Sequence, residues 1–228
     1  MNLTPAQEKA IILLSKSPLK DKFYWTGGTL LAHNYLHHRK SLDIDLFSEE
    51  AFSFEEINRF AQELKKQGKF TALKYQKISN RWEFLFANTE NLRVEFVYYN
   101  HEKRSLKPRK QLLGVYIDSL EDIAANKTFA YFDRNEPKDL FDIYFLLTKA
   151  NFTPSELLNL TAQKFGVEFN ESSFWSESFK SLSLLEKLKP LVPGTPKERQ
   201  TLFRKITAYF KQESAKFLQR NLLQPLSP

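Results

Sequence analysis

Two aspartates separated by one residue are the side chains of this sequence best suited to chemistry. Asp43 and Asp45 alternate with apolar residues in the segment Leu42–Phe47, so a β-strand would place both carboxylates on one face. Carboxylates this close repel each other unless a cation neutralises them. Magnesium suits the position, because it takes oxygen ligands and keeps sites open for phosphate oxygens. A pair of such ions can stabilise the attacking and leaving oxygens of phosphoryl or nucleotidyl transfer.

A glycine pair lies upstream of the aspartates. Gly27 and Gly28 separate the apolar run Phe23–Trp25 from a helical pattern that begins at Leu30, which predicts the order strand, glycine turn, helix. Without side chains, the two glycines let backbone N–H groups approach a phosphate, and the helix directs its positive end to the same place. Thr29 adds a hydroxyl donor. The turn and the aspartates together predict a nucleotide-phosphate site.

A third carboxylate follows on a later predicted strand. Glu95 stands between apolar neighbours in Leu92–Tyr99, with Arg93 on the same face. Beside Asp43 and Asp45 it would complete a carboxylate triad for metal ions. The alternatives are that the two aspartates form the solvated face of an edge strand and that Glu95 and Arg93 form an ordinary surface ion pair. The glycine turn before the aspartates favours the metal site.

Two blocks of sequence resemble a known family. Trp25–Leu31 and His38–Phe47 resemble the opening motif of the nucleotidyltransferase AbiEii/AbiGii toxin family, which belongs to the polymerase-β-like nucleotidyltransferase superfamily. A second block, formed by Asn126–Ala130, Arg134 and Lys138–Ile143, is similar to later motifs in the helical part of that family. The two blocks occur in the family's order, so the resemblance implies a magnesium-dependent nucleotidyltransferase that uses a nucleoside triphosphate.

The resemblance implies roles for the first block. The glycine turn, with Thr29, would hold the triphosphate of the incoming nucleotide. Asp43 and Asp45 would bind two magnesium ions. Glu95 occupies the place of the superfamily's third carboxylate, which serves as a metal ligand or as the base for the attacking hydroxyl.

The second block contributes four charged residues. Lys127 and Arg134 are seven residues apart and would share a helix face, where they could bind a polyphosphate or form a solvated basic surface. The resemblance assigns nucleotide-phosphate contact to Lys127. It also implies that Asp139 or Asp142 completes the active site, and leaves open which of them does. Spacing alone does not make either aspartate catalytic, because a negative charge in a first helical turn is also stabilising.

The segment between the glycine turn and the acidic strand holds further polar residues. Arg39 and Ser41 precede Asp43 and could orient its carboxylate or the γ-phosphate of a nucleotide, although a solvated loop is the alternative for Arg39. His33 and His37 have the spacing of zinc ligands on a helix. No glutamate follows His33 and no third ligand is near, so we interpret them as an ordinary histidine pair.

The predicted elements divide the chain into two parts and give the fold class α+β. Residues 1–105 predict a nucleotidyltransferase fold, a mixed β-sheet flanked by helices, from strand patterns within 23–25, 42–47, 70–78, 82–87 and 92–99 and helical patterns within 4–15, 30–36 and 53–67, the first and last of which begin at the caps Thr4 and Ser53. After Asn100 the strand signal largely disappears. Residues 106–228 predict a helical domain that contributes to nucleotide and acceptor binding, with its first helix capped by Asp118. Its later helices are predicted to begin at Pro137 and at the cap Thr153, and the last to cover 201–223.

Composition excludes several classes of protein. The chain has 228 residues and no cysteine, which excludes a disulfide-stabilised module and a cysteine-ligated structural metal. Its apolar runs fall short of the roughly 18–20 residues that cross a bilayer, and its N-terminus lacks the pattern of a signal peptide. We therefore expect no membrane association and a cytoplasmic location. The net charge of +7 favours polyanionic partners.

Basic residues are the main indication of the acceptor that receives the nucleotide. They cluster in the connection between the two parts and along the last helix: Lys103, Arg104, Lys107, Arg109 and Lys110, then Lys197, Arg199, Arg204, Lys205, Lys211, Lys216 and Arg220. Such residues, interspersed with Tyr and Phe, could bind an RNA backbone. Because some members of the resembled family modify the 3′ end of tRNA, the resemblance implies a tRNA acceptor and a cognate antitoxin. A small-molecule or protein acceptor, or a non-catalytic nucleotide- or RNA-binding module, are the alternatives.

Overall fold

The chain folds into two compact units. A computed structural model describes residues 2–88, 90–100, 105–134 and 136–223. The units comprise Met1–Ile123 and Ala124–Pro228. The boundary predicted near residue 105 falls inside the first unit, because two short strands that the sequence pattern did not reveal follow it and join the sheet. No helix in the described part of the chain is both long and apolar enough to cross a bilayer.

The first unit is built on a seven-stranded mixed sheet. Its strands, in chain order, are β1 Tyr24–Thr26, β2 Asp43–Ser48, β3 Ala72–Ile78, β4 Arg81–Ala87, β5 Leu92–Tyr98, β6 Lys110–Leu112 and β7 Val115–Ile117. They lie in the order β3-β4-β5-β2-β1-β7-β6. The pairs β2/β5 and β1/β7 are parallel, and the other neighbours are antiparallel. The predicted mixed sheet and α+β class are confirmed.

Three helices accompany this sheet. They are α1 Pro5–Ser15, α2 Gly27–Leu30, which continues as a π-helical segment Leu31–Leu36, and α3 Phe54–Gly68; a short 3₁₀ turn covers Pro18–Asp21. Capping boxes at Thr4 and Ser53 begin α1 and α3, as the sequence predicts. On the inner sheet face Ile44, Val94 and Phe96 are completely buried. Phe60 of α3 packs edge-on against Phe96, with ring centroids 5.7 Å apart, so this face is the core.

The second unit is helical. Its helices are α4 Leu120–Asp133, which begins at the end of the first unit, α5 Pro137–Thr148, α6 Pro154–Phe165, α7 Glu171–Leu182 and α8 Pro196–Leu223, with a 3₁₀ turn at Leu185–Leu188. The sequence pattern predicted the start of α5 and α6 and part of α8, but it did not reveal α7.

The predicted cap of α4 was wrong. Ser119 performs this role, because its hydroxyl accepts a hydrogen bond from the Asp122 N–H at 3.0 Å and donates one to the Asp122 carboxylate at 2.6 Å. The carboxylate of Asp118 is fully buried and instead accepts a hydrogen bond from Arg109 at 3.1 Å. A long-range ion pair therefore takes Asp118 away from the helix end.

Candidate active site

Strand register places the three predicted carboxylates on one face of the sheet. In the parallel pair β2/β5, Asp43 lies opposite Arg93 and Asp45 lies opposite Glu95. Residues opposite each other on neighbouring strands point to the same side. These side chains alternate with the buried Ile44 and occupy the outer face, away from the core. The alternation in Leu42–Phe47 predicted this arrangement for the two aspartates.

The glycine turn touches the aspartate pair directly. Thr26 of β1 lies opposite Asp45, and the chain then turns into α2 at Gly27, whose φ is +77°. A Cβ atom on Gly27 would lie only 1.9 Å from Asp45 Oδ2. Glycine is required here both for the left-handed backbone and for the close approach of the carboxylate. The turn and the acid therefore form one site.

Gly28 and Thr29 have different surroundings from Gly27. Gly27 is half-buried, whereas Gly28 and Thr29 are buried within α2. The Thr29 hydroxyl donates a hydrogen bond to the backbone carbonyl of Asp43. This bond fastens α2 to β2, so the hydroxyl serves within the protein and Gly27 is the most accessible residue of the turn.

Two arginines hold the carboxylates of β2 and β5. Arg93 pairs with Asp43, and its Nε lies 3.3 Å from Glu95 Oε1. Arg81 approaches the other oxygen of Glu95 at 3.6 Å. Burial, reinforced by the negative charge of Asp45, raises the pKa of Glu95 to about 7, while the two arginines oppose this shift. Glu95 is thus poised to exchange a proton near neutral pH.

The three carboxylates do not converge as a ready-made metal cage. Within residues 2–88, 90–100, 105–134 and 136–223, no group of three or more His, Cys, Asp or Glu side chains is placed so that it could hold a metal ion. Glu95 is turned toward arginines, and Asp43 is bound by Arg93. The pair of oxygen donors from Asp43 and Asp45 remains on the outer face next to the glycine turn.

The polar residues before β2 take part in contacts within the protein. Arg39 is 2% exposed and donates a hydrogen bond to the Lys40 carbonyl at 3.0 Å, so the solvated-loop alternative was wrong. The Ser41 carbonyl accepts a hydrogen bond from the side-chain amide of Gln7 at 2.8 Å, which ties α1 to this loop. The ring of His33 stacks on Trp25, with centroids 6.0 Å apart.

The second predicted block forms a compact charge network in the second unit. Lys127 Nζ lies 2.8 Å from Asp142 Oδ2 and 3.4 Å from Asp139 Oδ1. Arg134 makes two hydrogen bonds to Asp139, at 2.7 and 2.8 Å. Both aspartates are fully buried, whereas the Arg134 side chain is 40% exposed. The four residues that the sequence grouped by spacing do lie together, and each cation contacts an aspartate.

Burial and ion pairing shift the pKa of Asp139 in opposite directions. Burial alone would raise the pKa of its carboxyl, but the charges of Lys127 and Arg134 hold that pKa below its usual range. Asp139 is therefore ionised at neutral pH, and its charge contributes to stability above its unfolded pKa.

One residue of the predicted basic surface, Arg109, is instead engaged in contacts within the first unit. Arg109 lies in ion pairs with Glu49 at 2.6 Å and Asp118 at 3.1 Å, and its guanidinium stacks over the Tyr24 ring at 3.5 Å. It therefore fixes the segment before β6 rather than facing a ligand. Lys103 and Arg104 lie outside the described residues. Sequence reasoning also missed Arg81, which lies one residue before the strand pattern predicted for 82–87. Extending that pattern by one residue would have placed Arg81 in β4.

Comparison with solved structures supports the predicted nucleotidyltransferase fold. A crystal structure of JHP933 from Helicobacter pylori is 20% identical, with a TM-score of 0.56, and the match covers 96% of this chain and 95% of that one. A second H. pylori structure, named as a candidate nucleotidyltransferase, is 18% identical with a TM-score of 0.56 and covers 93% of this chain and 94% of that one. The fold is thus of the nucleotidyltransferase type.

Sequence comparison defines the family. Residues 11–221 match the AbiEii nucleotidyl transferase toxin family of type IV toxin–antitoxin systems, and the chain belongs to that family. The uncharacterized protein aq_aa25 of Aquifex aeolicus is 26% identical over 170 residues, which are 72% of this chain and 76% of that protein. The predicted family and the predicted enzyme class, a nucleotidyltransferase, are confirmed.

Gly27→Ala tests the contact between the turn and Asp45. We expect the variant to lose transferase activity almost completely, because a Cβ at this position displaces the Asp45 carboxylate. Gly114→Ala is the matched control, since Gly114 has a φ of +79° but lies in the β6–β7 turn. Both variants should lose about 1–2 kcal/mol of stability from the strained backbone. Equal activity in the two variants, measured as nucleotide transfer per folded molecule, would contradict the assignment.

Asp139→Asn tests the buried charge network. Breaking a buried pair leaves an uncompensated charge, so we expect a loss of about 3–5 kcal/mol in unfolding free energy at pH 7. In the parent protein the stabilisation from Asp139 is present above its unfolded pKa of 3.8 and is lost as pH falls through its lower folded pKa.

The measurement is denaturant unfolding from pH 7 down to pH 3, with Asp133→Asn as the control because Asp133 is exposed at the end of α4, the helix before the one that contains Asp139. The Asn variant at position 139 should show a weaker decline in stability over the acid range than the parent. An Asp139→Asn protein as stable as the Asp133→Asn control would show that the network contributes little.

Proposed function

We propose that this protein is a magnesium-dependent nucleotidyltransferase that transfers a nucleoside monophosphate from an NTP to a hydroxyl at the 3′ end of RNA, with tRNA as the first candidate. The observation that carries the proposal is the contact between the glycine turn at Gly27 and the carboxylate of Asp45, with Asp43 on the same face. The backbone that we propose to bind phosphate therefore lies beside the carboxylate oxygens that we propose to bind metal. Family membership supports the reaction class.

The donor set fits magnesium. Asp43 and Asp45 offer carboxylate oxygens, the ligands that this ion prefers, and the Asp43 side chain is 27% exposed, so it is accessible from solvent. Glu95, opposite Asp45 in the sheet, is the candidate third ligand or the base for the acceptor hydroxyl. When bound, the ions would neutralise charge on the triphosphate and on the leaving pyrophosphate.

The chain's own groups position the nucleotide. The N–H groups at Gly27 and the positive end of α2 attract the triphosphate. Arg93 orients Asp43 and supplies positive charge on the same face. In the reaction the acceptor oxygen attacks the α-phosphorus, the bond from that phosphorus to the β-phosphate oxygen breaks, and pyrophosphate leaves. The hydroxyl proton passes to a base, for which Glu95 on the same face is the candidate.

The second unit supplies further candidates for nucleotide binding. The resemblance assigns phosphate contact to Lys127, yet Lys127 is 7% exposed and lies between Asp139 and Asp142. Arg134 is the more accessible cation of this network. We therefore propose that Lys127 keeps the network in place and that Arg134 contacts phosphate. Membership of a type IV toxin–antitoxin family also supports a cognate antitoxin that opposes this activity.

Transfer of labelled nucleotide tests the proposal. Purified protein is incubated with magnesium and total tRNA, and each of the four NTPs is supplied with label in turn. We expect one nucleotide to label tRNA, and we expect Asp43→Asn and Asp45→Asn to reduce labelling at least about 100-fold while remaining folded, an effect of the size seen when one charge-stabilising group is lost. Glu50→Gln is the control, because Glu50 is exposed just beyond the same strand.

The outcomes separate the alternatives. Labelling that requires no RNA would direct the search to a small-molecule or protein acceptor. Binding of NTP without any transfer would favour a non-catalytic binding module. Labelling of tRNA by the Asp45→Asn protein at the rate of the parent would contradict the assigned site.

A further inference from the structure

The sheet face that carries the catalytic carboxylates continues past them onto two further strands. Asp43 lies opposite Arg93, Arg93 opposite Leu85, and Leu85 opposite Lys74. A row of side chains therefore runs across β2, β5, β4 and β3 on one face. At a strand spacing of about 4.8 Å, Lys74 lies about 14 Å from Asp43.

This part of the face is open. Leu85 is 42% exposed and Ile78 is 39% exposed, and Lys74 and Gln76 beside them are also exposed. On the opposite side of the same strands Phe84 and Phe86 are buried in the core. Large apolar side chains on the solvent side of a strand are a feature of binding surfaces when they lie together.

The accessible charge on the outer side of β3 and β4 has one sign. On the outer side of these strands Lys74 is exposed and Arg81 is half-exposed, whereas Glu83 is 5% exposed and is held by Gln76 at 2.7 Å and Arg81 at 3.2 Å. The accessible charge is thus positive. Cations beside exposed apolar side chains match a single nucleic-acid strand, which presents phosphates and base faces together.

We propose that the outer face of β3 and β4 binds the RNA strand whose 3′ end reaches Asp43 and Asp45. This surface, the outer sheet face, is defined by Lys74, Gln76, Ile78 and Leu85. The inference rests on the proposed function and adds the location of the acceptor. The distance of about 14 Å corresponds to about four nucleotides of a stacked strand. Lys74 contacts a phosphate of the strand, and Leu85 contacts a base.

A charge reversal with an internal control tests the outer sheet face. Lys74→Glu places a negative charge on this face, and Lys77→Glu makes the same change three residues later, on the opposite side of β3, where Lys77 lies 5.7 Å over the Trp82 ring. Leu85→Ser removes the apolar contact without changing charge. The readouts are the Kd for a fluorescently labelled single-stranded RNA over a range of salt concentrations, and the separate KM values for RNA and NTP.

We expect Lys74→Glu to weaken RNA binding and raise the KM for RNA several-fold, with the KM for NTP unchanged. Its plot of log Kd against log salt should become shallower by about 0.7, the effect of one lost phosphate contact on a single strand. Leu85→Ser should weaken RNA binding without changing that slope, and Lys77→Glu should resemble the parent.

Two results would overturn the inference, and they are distinguishable. If the parent transfers nucleotide to RNA and Lys74→Glu and Leu85→Ser match it in Kd and KM for RNA, the acceptor lies elsewhere and this face is left to a protein partner. If the parent itself binds NTP but neither binds nor labels RNA, the proposed acceptor fails first and the inference fails with it.

Discussion

The close approach of the Asp45 carboxylate to the backbone of Gly27 is the constraint on which the rest of the site depends. It requires β1 to lie antiparallel beside β2, with Thr26 opposite Asp45, and it requires a residue without a Cβ where the chain turns into α2. The buried Ile44 and Leu46 then fix the register of β2. A slip by one residue would turn both aspartates into the core, so the packing of the inner face holds the chemistry on the outer face.

The charge network of the second unit and the ion pair on the outer face of the sheet differ in how exposed they are. In the second unit Asp139 and Asp142 are fully buried, and their charges are balanced by two cations. Such a network is costly to disrupt and has little freedom to exchange partners. On the outer face of the sheet Asp43 and Arg93 are partly exposed, with side-chain exposures of 27% and 34%. This partial exposure would let a divalent cation compete with Arg93 for the carboxylate, as the proposed function requires.

Local patterns predicted much of the fold and of the site. The alternation around Asp43 and Asp45 predicted the strand and its acidic face, and the capping residues Thr4, Ser53 and Thr153 predicted where three helices begin. These features depend on neighbours in the chain, so a single sequence contains them.

Features set by distant residues were missed. Strands β6 and β7 have three residues each, too few to show a period of two, and the sheet stabilises them because β7 pairs with β1 and β6 pairs with β7. Asp118 and Ser119 are both suitable helix caps, and the carboxylate of Asp118 is engaged by Arg109 while Ser119 caps the helix. The pairing of Glu95 with Arg81 depends on strand register between β4 and β5, which no local pattern reveals.

The proposed function requires that the site transfers a nucleotidyl group. The most direct measurement compares NTP labelled at the α-phosphate with NTP labelled at the γ-phosphate, in parallel reactions with magnesium and tRNA. Nucleotidyl transfer places the α-label in RNA and releases the γ-label in pyrophosphate, and this is the result we expect. Entry of the γ-label into the acceptor would show phosphoryl transfer, and release of the γ-label as inorganic phosphate without any transfer would show hydrolysis. Either result would contradict the proposed reaction.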